Sequence, residues 1–298
     1  MSVSPISTPR LPLAAVDAER VQVAIAGPGG RRTAVGSAAA ALRDRRLTAA
    51  ERAAIRALVR AVELLRERAQ LAGIDDAGTG VTLVLRDGDA SKRGPWATVG
   101  TVSVGTRNAL AGRSSVPARA DALLTVDAAV HELVHVVQFA TMPEGATPHA
   151  GILEGIADAA AILATGDDLL GEDFFVRDAA GRPRGAIRDV GSARSGVKTL
   201  GHVVTDYAAA TRAGVEEHAA GGVVTATFIA LRDQVGRERA EQLLWLVIRD
   251  RAAWQQGGSW RSLAEAIRRG AAQLNDPALN AAADVALART GLAAALRA

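Results

Sequence analysis

Two histidines four residues apart enclose a glutamate in the stretch His131-Glu132-Leu133-Val134-His135. On a helix the two imidazoles lie about 40° apart around the axis and one turn apart along it, so both can reach one metal ion. Glu132 projects about 100° away, where a carboxylate can take a proton from a metal-activated water. H-E-x-x-H on a helix is a zinc-hydrolase pattern. A motif this short also arises by chance, and the plain alternative is a core helix with two buried, satisfied histidines. The flanks favour a helix. Val130, Leu133, Val134, Val137 and Ala140 recur at helical spacing, and neither Pro nor Gly occurs from Ala120 to Met142.

A catalytic zinc takes three protein ligands and leaves a position for water. The third is expected from a helix that folds back on the first. Thr141 to Pro148 reads as a reversal, with Thr147 as helix cap and Pro148 in the first helical position. The helix beyond it carries Gly151-Ile-Leu-Glu154-Gly-Ile-Ala-Asp158. Glu154 is the expected third ligand. Asp158, one turn on, suits a hydrogen bond to the free ring nitrogen of a ligating histidine. Two carboxylates on an otherwise apolar helix face need such a reason, although a pair of caps or arginine partners would also serve. His149, at the reversal, is an alternative ligand.

These residues need elements to hold them. Val21 to Ile25 reads as a short strand inside a weakly patterned arm, residues 1–45. Thr48-Ala-Ala-Glu51 is a capping box that opens a helix to about Leu71. Val81–Leu85 and Ala97–Val104 read as two strands, the second suited to a sheet edge that could pair with a substrate backbone. Residues 166–191 read as an irregular loop around Phe174-Phe-Val176. Further helices are expected at about 195–213, 222–235, 237–254, 259–274 and 277–296. The expected fold is α+β and predominantly helical. An N-terminal subdomain, 46–145, has a small sheet, a backing helix and the active helix. A helical C-terminal subdomain, 146–298, carries the third ligand.

Composition narrows the chemistry. The chain has 298 residues, 49% of them apolar but only 3% aromatic, so its core must be built from Ala, Val, Leu and Ile. There is no cysteine, which excludes disulfides, Cys metal sites and Cys nucleophiles. Metal can be held only by Asp, Glu and the five histidines. Net charge is +3, and no Lys/Arg run is interleaved with aromatics, so nucleic acid is not an expected partner. No stretch is long and apolar enough to span a membrane. No Sec-type signal is legible, so the expectation is a cytoplasmic protein or one exported by a non-Sec route.

The motifs His131-Glu-Leu-Val-His-Val-Val-Gln138 and Gly151-Ile-Leu-Glu-Gly-Ile-Ala-Asp158 resemble those of gluzincin metallopeptidases. The closest likeness is to the plant and bacterial family that includes the basic secretory proteins, with its H-E-x-x-H-V-x-Q and G-L-I-E-G-I-A-D helices. Gly221-Gly-Val-Val-Thr-Ala-Thr-Phe228 is similar to that family's G-Y-D-V-T-A-R-F segment, with Gly222-Val223 in place of Tyr-Asp. The likeness spans about residues 120 to 235. It implies Zn2+ held by His131, His135 and Glu154, Glu132 as general base, and an endopeptidase acting on peptides or proteins. It also leaves secretion open. A more distant likeness, to thermolysin-like peptidases, points to His218 as a donor to the oxyanion. Tyr207, the only tyrosine, is the second candidate; His202 is read as structural. The first helix alone also resembles a metallopeptidase-like domain linked to contractile injection systems. A catalytically silent binding or assembly module is therefore the rival reading.

Overall fold

The small β-branched and aliphatic residues near the N-terminus alternate at the period of a strand and find partners in a five-stranded sheet. The computed structural model describes residues 21–27, 31–71, 81–87, 95–108, 110, 117–119, 121–189, 198–199, 203–255 and 257–297. Its first strands are β1 (Val21–Ala26) and β2 (Arg32–Ser37), followed by a single-turn helix, α1 (Ala38–Ala41). The long helix α2 (Ala49–Leu71) leads to β3 (Val81–Leu85), β4 (Trp96–Thr98) and β5 (Thr101–Ser103). The sheet order is β2-β1-β3-β5-β4, with β1, β3 and β5 parallel and the two outer strands antiparallel.

Two expectations change here. Residues 21–41, read as part of a weakly ordered arm, supply two strands and a helix turn. The stretch read as one strand over 97–104 is a hairpin, because Gly100 takes a left-handed φ of 67° and turns the chain after Val99. This leaves β4 on the sheet edge. The capping box holds: Thr48 N–H donates to Glu51 Oε2 at 2.7 Å and Glu51 N–H to Thr48 Oγ1 at 3.1 Å. Ile55 and Leu58 of α2 are buried in one core with Val21, Val23, Leu83 and Leu85.

The motif helix is α3 (Val126–Thr141), and α4 (Ala150–Thr165) folds back on it. Val130, Leu133, Val134 and Val137 are buried as expected, whereas Ala140 is exposed. The cap of α4 differs from the sequence reading. Pro148 packs so closely on Gly258 that a Cβ there would sit 2.3 Å from its own Cβ, and His149 N–H donates to Gly258 O at 3.1 Å. The chain stays extended to His149, whose Nδ1 caps the helix by accepting from Gly151 N–H at 3.1 Å.

Beyond α4 the expected irregular loop contains short strands. β6 (Leu169–Leu170) pairs with β8 (Arg188–Asp189), and β7 (Gly185–Ala186) pairs with β9 (Lys198–Thr199). Among the described residues of the helix expected over 195–213, Lys198–Thr199 is strand and one turn is helical, α5 (Tyr207–Ala210). Then come α6 (Glu217–Val235), α7 (Arg237–Arg249), α8 (Arg251–Gln255), α9 (Trp260–Gln273), α10 (Pro277–Arg289) and a 3-10 turn over Leu292–Leu296. Two expected helices are thus divided, at Asp250 and at Gly291, which has φ 73°. One continuous core runs from β1 to Ala295. The architecture is α+β and predominantly helical, as the sequence led one to expect. No described helix is long and apolar enough to cross a membrane.

Candidate active site

The site forms where α3, α4 and α6 meet. Helical spacing brings His131 and His135 to one face of α3, with Nε2 atoms 3.1 Å apart. From α4, Glu154 Oε2 comes within 3.1 Å of His131 Nε2 and 3.4 Å of His135 Nε2. Four-coordinate zinc with bonds of 2.0–2.1 Å separates its ligand atoms by about 3.3 Å, so the spacing suits that ion.

Proton positions decide what the cluster lacks. His131 Nδ1 lies 2.8 Å from Asp158 Oδ1, and an ionised carboxylate only accepts, so this nitrogen carries a hydrogen. His135 Nδ1 lies 2.8 Å from Gln138 Oε1. The amide is oriented by its own Nε2, which donates to Leu153 O at 3.2 Å, so His135 Nδ1 also donates. In their neutral forms both rings turn bare Nε2 lone pairs toward Glu154. The Oε2 atom of Glu154 is buried, and none of these approaches is aligned as a hydrogen bond. Three buried acceptor atoms facing one another are an arrangement for a cation.

The electrostatics agree. Burial would lower the His131 pKa, but Asp158 and Glu154 outweigh it and hold the ring at about 10. Burial would raise the Glu154 carboxyl, yet the two histidines keep it far below the carboxylate range. These surroundings favour a positive charge at the ring nitrogens, and a divalent ion can take the place of a proton. Asp158 is 1% exposed and also accepts from Arg188 Nη2 at 2.6 Å. Burial opposes its ionisation, while Arg188 and His131 hold it ionised.

Glu132, next to His131 in sequence, is buried and lines the cleft. Burial pushes its carboxyl up, opposed by His131 and His135. His218 stands in the first turn of α6, which begins five residues earlier than its glycines suggested and is capped by Glu216. Its Nε2 is 3.2 Å from Glu154 Oε2, and its Nδ1 donates to Glu216 Oε1 at 2.5 Å.

Two sequence candidates are not brought to the site. Tyr207 sits on α5, its N–H tied to Thr290 O and its ring edge-on to Trp260 at 6.0 Å, and it does not line the cleft. His149 is spent on capping α4, with its ring 5.1 Å from that of Trp260. His202 lies outside the described residues. Conversely, Gln138 and Arg188 hold the site but were not singled out, whereas a glutamate beside His218 was expected to orient it and Glu216 does so. Gln138 is the final residue of the motif helix segment, and Glu216 precedes His218 by two. Arg188, thirty residues from Asp158, has no local signal.

The cleft over the cluster is about 490 Å³. Its lining includes Leu110, Leu170, Phe174, Ile187 and Arg188, together with edge-strand Trp96, Phe139, Ala150 and Leu153.

No family model matches this chain, and no curated protein matches it in sequence. Its fold is similar to a solved structure, the precursor of protealysin, a metalloproteinase from Serratia proteamaculans. The TM-score is 0.64 over 91% of this chain and 87% of that chain, at 14% identity. At that identity the likeness speaks for the fold, and the chemistry must be argued from the residues.

Proposed function

We propose that this chain is a zinc-dependent peptidase of the gluzincin type, with His131, His135 and Glu154 as ligands and Glu132 as general base. The observation that carries the reading is the convergence of three buried acceptor atoms, with both histidine Nδ1 atoms engaged elsewhere, beside a buried glutamate. The protealysin-like fold supports it. The finer likeness to the basic secretory protein family rests on the sequence motifs.

When bound, zinc lowers the pKa of water toward neutrality and polarises a carbonyl. The protein's own groups do the rest. Glu132 takes a proton from the water that attacks the peptide carbonyl and passes it to the leaving nitrogen. His218 stabilises the developing oxyanion. To donate from Nε2 while Nδ1 is engaged with Glu216, its ring must carry both protons. Arg188 Nε is buried without a hydrogen-bond partner among the described residues, which leaves a donor for a peptide carbonyl. The free edge of β4 can pair with the substrate backbone. Asp158 and Gln138 fix the tautomers of the two ligating rings.

Purified protein should hold about one zinc per chain by elemental analysis. Glu132→Gln should keep that zinc and lose at least about a thousandfold in kcat on an unbiased peptide mixture. Metal-free protein with an intact fold would sink the reading. Zinc bound at full occupancy with no cleavage of any peptide would favour the silent binding module instead.

A further inference from the structure

Among the described residues the exposed large apolar side chains are Val99, Phe139 and Val285, and Phe139 alone is aromatic and lies at the cleft. It follows His135 by one helical turn. Its ring stacks on the His135 imidazole, with centroids 6.0 Å apart and planes 19° from parallel, and it is 38% exposed. The shelf is held in place. Gln138, its neighbour in sequence, ties His135 to Leu153 O, and Leu153 lines the same cleft. The ring thus has one face turned to a ligand histidine and a large part of its surface open to the cleft. Aromatic rings prefer such offset-stacked or edge-on partners, and burying the open surface gains what the free protein lacks.

The same cleft is also lined by Leu170 and Phe174, which are buried, by Leu110 and Ile187, which pack with Phe174, and by the charged Arg188. A peptide laid in the cleft therefore meets apolar lining and, at Phe139, an aromatic shelf that is open to solvent.

We propose that Phe139 is a specificity-determining residue, a stacking platform for an aromatic side chain of the substrate close to the scissile bond. The inference rests on the peptidase reading. A flat shelf discriminates rings from aliphatic chains, because a ring pair adds a contact that leucine does not make. The expected advantage of Phe over Gly at that one position is about three- to tenfold in kcat/KM, carried mainly by KM, since the contact is made in ground and transition states alike.

The test uses the zinc-loaded full chain and one peptide in which a single residue, Phe, Leu or Gly, is moved through three positions on each side of the cleaved bond. Hydrolysis is followed with the wild type, Phe139→Ala and Phe139→Leu. Binding is followed by fluorescence anisotropy of the labelled peptides on Glu132→Gln, with and without the Phe139 changes. Phe should be favoured at one position, and the Phe-to-Gly ratio there should fall below about twofold in Phe139→Ala. In Phe139→Leu the advantage of Phe over Leu should disappear while zinc content is retained. No positional preference for Phe, or a preference that survives in Phe139→Ala, overturns the platform. If Phe139→Ala fails to fold or loses zinc, the Leu variant decides. Preference in binding without any hydrolysis leaves the platform standing and sinks the peptidase reading; hydrolysis without a Phe139-dependent preference does the reverse. No binding and no hydrolysis sinks both.

Discussion

Each imidazole around Glu154 has its Nδ1 engaged by a different acceptor: Asp158 for His131, Gln138 for His135 and Glu216 for His218. The three acceptors differ in charge and burial, so their removal should have graded effects. Asp158 is the strongest case, being buried, ionised and shared with Arg188. Asp158→Asn keeps its shape but drops its charge, and zinc affinity measured against a competing chelator should fall roughly 10- to 100-fold. Gln138→Leu removes a neutral acceptor and should cost less. An unchanged zinc affinity in Asp158→Asn would show that the ring orientation is set by packing alone. A second residue, away from the ligands, titrates near neutrality. Burial, reinforced by Asp127, Asp167 and Asp173, pushes the Glu172 carboxyl up to about 7. The folded value lies above the ordinary 4.5, so the neutral form is favoured by folding. That contribution is complete below about pH 4.5 and is lost as pH rises through about 7. Glu172→Gln should therefore melt higher than the wild type at about pH 8, by about 1 kcal/mol after allowance for solvent screening. The difference should vanish near about pH 4 in paired thermal melts.

The helices bring these residues together through a contact that only glycine permits. A Cβ on Gly155 would sit 2.2 Å from Gly221 O, and one on Gly221 would sit 2.8 Å from Gly155 N. Thr225 Oγ1 donates to Gly155 O at 3.2 Å and closes the crossing. This close approach sets Glu154, next to Gly155, opposite His218, one turn before Gly221–Gly222. Gly155→Ala should force α4 and α6 apart, at a cost of about 1–3 kcal/mol, seen as a lower Tm. Because His131, His135 and Glu154 lie on α3 and α4, zinc should stay, while kcat falls as His218 retreats. A variant with normal Tm and normal kcat would contradict this account of the crossing. The same pair of glycines explains an error of sequence reading. Gly221-Gly222 suggested a helix beginning at 222, since glycine weakens helices in isolation, but here its absent side chain is what the packing demands. The proposed ligands and Asp158 were legible because helical period relates His131 to His135 and Glu154 to Asp158, and one short reversal joins the two helices. Arg188 was not, because a two-residue strand has no periodicity and its pairing partner β6 is supplied by the fold. Tyr207 was misplaced for a related reason. Its ring packs edge-on against Trp260, more than fifty residues on, a contact that no local pattern announces.

At the scale of the whole molecule, the site joins two regions that share one core. The sheet, α2 and α3 stand on one side; α4 and the helices from α6 onward stand on the other, and buried side chains connect them throughout. We take the turn after α3 as the boundary between the two proposed subdomains. The fold is thus secured by apolar burial, and the proposed cation would act as an added tie between α3 and α4. Without it, Glu154 and two imidazoles face one another, and a proton on His131 is the available substitute. Anything that binds only the folded state stabilises it by mass action, about 1.4 kcal/mol for each tenfold rise in free ligand above Kd. The Tm should accordingly climb with buffered free zinc and fall on chelation, while far-ultraviolet circular dichroism at room temperature changes little, since the core does not depend on the ion. Removing both imidazoles, His131→Ala with His135→Ala, should abolish the zinc dependence of Tm without unfolding the chain. A zinc-dependent Tm that persists in that double variant would mean that the stabilising ion binds elsewhere. A wild-type Tm indifferent to zinc would mean that the converging acceptors hold no ion at all.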